Sequence, residues 1–114
     1  MHACHRTIIA TSLILALQLV ALSSWAFAQR TLDFPGAVST FAADINATGQ
    51  IVGWYTDPSN RTHGFWLPQG LGGGYVSLDF PGAVSTQASG INDVGTTVGG
   101  YTDSFGTGHG AVLR

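Results

Sequence analysis

The 114-residue chain has no lysine and no glutamate, and Cys4 is its single cysteine; four arginines and six aspartates supply all of its formal charge. Each absence removes a class of function. The arginines stand apart, at 6, 30, 61 and 114, and cannot form the basic stripe that neutralises phosphates, so no nucleic-acid partner is expected. Helical bundles and coiled coils draw on Glu, Lys and Leu, which are missing or modest here. Disordered tracts are typically charged and poor in aromatics, whereas this chain is 9% charged, 45% hydrophobic and 11% aromatic. Beyond Cys4 there is no thiol for a disulfide, a metal site or a nucleophile.

Long apolar runs are confined to the N-terminus. Arg6 precedes an apolar stretch from Ile8 to Leu22, relieved by Thr11, Ser12 and Gln18, and Trp25-Ala26-Phe27-Ala28 follows. A basic start, an apolar run of about 15 residues and a small-x-small site make a secretory signal peptide. Residues 1–28 are therefore expected to be removed before Gln29, leaving a secreted, extracellular or periplasmic domain, 29–114, with no membrane attachment after cleavage. An uncleaved anchor is the competing reading, since a span needs about 20 apolar residues; Ala26 and Ala28 favour cleavage. Cys4 would leave with the signal, and the remainder would carry three arginines against six aspartates.

That remainder is one unit written twice. Leu32-Asp-Phe-Pro-Gly-Ala-Val-Ser-Thr40 recurs as Leu78 to Thr86, a shift of 46 residues, and the register then holds without a gap: 21 of 38 aligned pairs are identical. Unit one is 31–76 and an incomplete unit two is 77–114. Strands are predicted over Val76–Phe80, Thr86–Ile91, Gln50–Thr56 and His63–Leu67, separated by Pro-Gly, Asn-x-x-Gly and Asp-Pro-Ser-Asn turns. No helical periodicity occurs beyond the signal. The fold class is all-β, two tandem four-stranded repeats of the kind that build β-propeller blades, with a small sandwich or barrel as the alternative. Gly53, Gly99 and Gly100 suggest close backbone approach at an axis, and Gly70–Gly74 reads as a flexible connector between the units. The second unit stops after its third strand, and Leu32-Asp33-Phe34 is expected to be a strand able to fill the fourth place beside it. Since two blades cannot close a ring, the partners implied are further copies of the chain or neighbouring repeats.

Candidate chemistry is sparse. His63 and His109 invite a metal or acid-base role, but groups repeated at equivalent positions are read as structural, donating to a neighbouring strand's carbonyl. Asp57 and Asp103 read as turn caps, as do Asp33 and Asp79 beside Phe-Pro-Gly. There is no Gly-x-Ser-x-Gly elbow, and no Cys, Lys or Glu on which to build a nucleophilic or glycosidase site; no enzyme, cofactor or metal site is expected. The sequons at Asn46 and Asn60 are read as chance, Asn46 being explained by its turn. Aromatic residues crowd unit one. Trp54 and Trp66 are the candidate ligand contacts, because an exposed indole stacks on sugars or anchors a partner; covering the edge of an incomplete core is the competing role.

Ile-Asn-x-x-Gly-x-x-Val-Gly, at 45–53 and 91–99, is followed by His63-Gly64-Phe65 in one unit and His109-Gly110-Ala111 in the other, with Leu-Asp-Phe-Pro-Gly completing the pattern. Over Thr31 to Arg114 this resembles the HAF-type extracellular repeat of bacteria. The resemblance implies a secreted, propeller-like β repeat and supplies no activity; Ala111 departs from it at the aromatic position. The expected function is a non-enzymatic module for extracellular binding or assembly. The alternatives are a carbohydrate-binding lectin with sites between blades, formed on oligomerisation, or a piece of a longer repeat array.

Overall fold

The computed structural model describes residues 29–113, so the expected signal segment lies outside the described residues. Among those residues there are seven strands and no helix: β1 (Ser39–Ile45), β2 (Ile51–Thr56), β3 (Thr62–Leu67), β4 (Val76–Leu78), β5 (Ser85–Ile91), β6 (Thr97–Thr102) and β7 (Gly108–Leu113). They form two antiparallel sheets, β1-β2-β3-β4 and β5-β6-β7. The all-β class is as the sequence predicts.

Local chemistry sets the hairpins. The β1–β2 turn closes on Asn46, whose side-chain oxygen accepts from the Thr48 and Gln50 N–H groups at 3.2 and 2.9 Å, while Gly49 takes φ 90°. Asn92 repeats the device with Val94 and Thr96 at 3.1 and 2.8 Å. The β2–β3 turn is held by Asp57, which accepts from Ser59 and Arg61, and the β6–β7 turn by Asp103, which accepts from Phe105 and Thr107. Such side-chain mimicry of a backbone turn is why Asn and Asp recur there. The Phe-Pro-Gly turns are fastened differently from the expectation. The Phe34 and Phe80 N–H groups donate to the hydroxyls of Thr40 and Thr86 at 2.9 and 3.1 Å, so threonine, not Asp33 or Asp79, caps them.

Four further expectations are corrected. Leu32–Phe34 belongs to no strand, and β4 is shorter than Val76–Phe80 because the chain leaves the sheet after Leu78. Gly70–Gly74 lies within the β3–β4 connection of one sheet, turned by bonds from Gly70 N to Leu67 O and from Gly73 N to Gly70 O, both 3.1 Å. The passage between sheets is instead made by Asp79–Val84. Gly53 and Gly99 serve a bulge rather than an axis. Register slips between Ala42 and Asp44 and between Ala88 and Gly90, and a Cβ on the opposing glycine would collide with the carbonyl of Phe41 or Gln87.

Alternation along the strands gives the first sheet two used faces. One carries Ile51, Tyr55, Phe65 and Leu67, covered by Leu32, Phe34, Ala37 and Tyr75. The other presents Val52 and Trp66, which pack with Leu78 and Phe80 against Ala88, Ile91, Ala111 and Leu113 of the second sheet. The core between the sheets is therefore apolar and is built from opposite faces of equivalent elements.

Candidate functional site

Three features stand out from this scaffold: a polar clasp between the sheets, a pair of His–Asp constellations, and an open sheet edge flanked by aromatic residues. The clasp joins positions 46 or 47 residues apart. Asn46 Nδ2 donates to Asn92 O at 2.9 Å, Ala47 N to Asp93 Oδ1 at 2.8 Å, and Ile91 N to Asp44 Oδ2 at 2.9 Å. Asn46 is buried, and its remaining groups are satisfied by Gln50 and the turn. Sequence reasoning found Asn46 but missed Asp44 and Asp93. A signal existed, since both occupy positions where the repeat breaks its own pattern, with Gly90 and Ala47 as their counterparts.

The histidines bind carboxylates, not strand carbonyls. His63 sits on β3 with Nε2 on Asp57 Oδ2 at 2.8 Å and Nδ1 on Asp79 at 3.0 Å. Carboxylates accept only, so both ring nitrogens donate in the imidazolium form. Burial alone would push the His63 pKa down, but the hydrogen bonds and charges of Asp57 and Asp79 outweigh it and hold the pKa above its ordinary 6.5. Asp57 is held below its ordinary 3.8 by the Arg61 N–H and then by His63. Asp103 is lowered in the same way, first by His109 and then by the Thr107 N–H. Both histidines also stack on tyrosines, His63 on Tyr55 at 5.0 Å and His109 on Tyr101 at 4.8 Å. The carboxylates around His63 take opposite ring nitrogens and do not converge on a common point; among the described residues no cluster of three or more His, Cys, Asp or Glu could hold a metal ion.

His109 has the first of these partners and lacks the second. Its Nε2 meets Asp103 Oδ2 at 2.9 Å, and its Nδ1 has no partner among the described residues. The reason is topological. Asp79 reaches His63 from the end of β4, and β7, the counterpart of β3, has no described strand on the edge away from β6.

Trp54 and Trp66 are placed on the same face of the first sheet but in different settings. Trp66, opposite Val52, lies at the junction of the sheets and lines an apolar cavity of about 270 Å³ with Val76, Leu78, Gly95, Thr97 and Leu113. Its Nε1 is buried without a hydrogen-bond partner among the described residues. Trp54 stacks on Phe41 with ring centroids 4.5 Å apart, and Phe41 is 54% exposed. Gln87 and Gly100 replace this pair in the second sheet, so the aromatic platform occurs in one of the two described sheets.

Comparison with protein families, with curated proteins and with solved structures gave no match.

Proposed function

We propose that this chain is a secreted, non-enzymatic β-repeat module for extracellular binding or assembly, its two sheets acting as successive propeller-like blades of the HAF-type repeat. The observation that carries the reading is the clasp between the sheets. Its three hydrogen bonds join residues 46 or 47 apart, so the first repeat is docked on the second by specific polar bonds as well as by apolar packing. A unit that cannot bury its apolar face alone is built to be stacked. The test is export and solution mass. The chain is produced from its full-length coding sequence in a bacterial host, the extracytoplasmic fraction is collected, and intact mass and light scattering are measured. The reading expects a product beginning at Gln29 that assembles into a discrete oligomer. A chain retained in the cytoplasm, or one that stays monomeric and binds no extracytoplasmic component, would overturn it.

A lectin is the second reading, favoured by the stack of exposed Phe41 on half-buried Trp54 and by the cavity that Trp66 lines between the sheets. An aromatic face can stack on the C–H face of a sugar ring, and the buried Trp66 Nε1–H is a donor without a partner among the described residues. On a glycan array the unmodified protein would bind a defined set of sugars, with Trp54→Ala or Trp66→Ala abolishing it. A folded protein that binds no glycan would sink this reading.

A further inference from the structure

The edge of the first sheet shows what the edge of the second is shaped to receive. β4 pairs with β3 in the register Gly64↔Leu78 and Phe65↔Ser77. Two side-chain bonds accompany the pairing: Tyr55 Oη with Ser77 Oγ at 3.0 Å, and His63 Nδ1 with Asp79 at 3.0 Å. One period later, β7 offers Gly110 and Ala111 along an edge with no neighbour among the described strands. Tyr101 and His109 stand where Tyr55 and His63 stand. Moving the partners back by the same period gives Leu32 for Leu78, Thr31 for Ser77 and Asp33 for Asp79. The hydroxyl and the carboxylate are both retained, and neither Thr31 nor Asp33 has a hydrogen-bond partner among the described residues.

The same chain cannot bring these together, because Leu32 and Phe34 pack on the face of the first sheet that points away from the second. Nor do they need to move. Leu78 pairs with β3 while its side chain packs on the next sheet. Leu32 already packs on the next sheet in the corresponding way, and Phe34 stacks on Tyr55 at 3.7 Å as Phe80 stacks on Tyr101 at 3.8 Å. The segment is held in place, and its outward edge has no pairing strand among the described residues.

We infer that residues 31–33 of a second copy of this chain add as the fourth strand to the β7 edge, Asp33 taking the open Nδ1 of His109 and Thr31 meeting the Tyr101 hydroxyl. This rests on the assembly reading above and names its partner and its bonds. The apolar surfaces agree. Val98 and Val112, 48% and 67% exposed, correspond to Val52 and Trp66 of the buried junction, and Ile45, 59% exposed, corresponds to Ile91, which is 9% exposed. In the docked pair, Val98 and Val112 of one copy would cover Ile45 of the next. Only one of the three clasp bonds would recur, Asn92 to the Asn46 carbonyl, since Gly90 and Ala47 lack the carboxylates; the contact between copies is correspondingly weaker than the one within the chain. Such a contact is heterologous, joining different surfaces head to tail.

That asymmetry supplies the test. Association of the full chain is followed by sedimentation velocity over a wide concentration range, with Asp33→Ala and His109→Ala as the variants and circular dichroism to verify that each is folded. Removing one charge-assisted bond is expected to weaken self-association about tenfold. In an equimolar mixture of the two variants, one copy keeps an intact tail and the other an intact edge, so a one-to-one heterodimer is expected at concentrations where neither variant associates alone. Self-association of Asp33→Ala as tight as that of the unmodified chain, or a mixture no stronger than its components, would overturn the strand-addition inference while leaving assembly standing. An unmodified chain that is folded and monomeric throughout would overturn the inference, and a glycan or another extracytoplasmic ligand bound by that monomer would preserve the broader reading.

Discussion

The side-chain amide of Asn46 donates to the main-chain carbonyl of Asn92, its own counterpart one repeat later, at 2.9 Å. One residue thereby closes a hairpin and fastens one sheet to the next. Asn92 closes its hairpin in the same way but stays exposed, with no described sheet beyond it.

Replacing the two asparagines should separate these roles. Asn46→Ala removes bonds to the turn and to the second sheet and leaves buried groups without partners, costing about 2–3 kcal/mol of stability. Asn92→Ala loses only turn bonds near solvent and should cost about 1 kcal/mol. Urea denaturation monitored by tryptophan fluorescence gives both values.

The bulge glycines leave no room for a side chain. Gly53→Ala and Gly99→Ala place a methyl group against the carbonyls of Phe41 and Gln87, so each should destabilise by about 3 kcal/mol or more through forced backbone shifts. Gly108→Ala, where a Cβ meets open space, should stay within about 0.5 kcal/mol of the unmodified chain. Thermal melts by circular dichroism rank the three.

Trp66 carries a buried N–H with no partner among the described residues. Trp66→Phe keeps an aromatic ring at the junction and removes the unsatisfied donor, so its stability should match or exceed that of the unmodified chain by up to about 1 kcal/mol. Trp66→Ala should cost about 3 kcal/mol by opening a cavity between the sheets. Equilibrium unfolding in urea distinguishes the two.

Stability should fall on both sides of a plateau in pH. The contributions of Asp57 and Asp103, whose pKa values are lowered from 3.8 by folding, are present above that value and vanish as pH drops through the folded ones. His63, raised above 6.5, contributes fully below 6.5 and loses its contribution as pH climbs through the folded value. The melting temperature should therefore be highest between these limits. In His63→Gln the alkaline decline should flatten. An unchanged alkaline decline in that variant would show that another group drives it.

Much of the architecture was legible in the residues because it is local. The hairpin turns follow from Asn46, Asp57, Asn92 and Asp103 and the left-handed Gly49, Asn60, Gly95 and Gly106 that follow them, and the longer strands from alternation within six or seven residues. The His–Asp pairs were not legible. Asp57 meets His63 across a hairpin, six residues on, and Asp79 arrives from a strand that sequence order assigns to the other unit. The sequence consequently reads Asp79 as a turn cap, a task that falls to the Thr86 hydroxyl.

The sequence by itself determined the period, the hairpins and the all-β class, since each depends on a few neighbouring residues. Only the tertiary structure decided which copy of a residue is core. Val52 and Val98 occupy the same place in the same motif, yet one is fully buried and the other 48% exposed; Ala88 is buried while its counterpart Ala42 is exposed. Burial is conferred by the neighbouring sheet, and a motif that recurs with the same residue acquires different surfaces according to which of its faces that sheet covers.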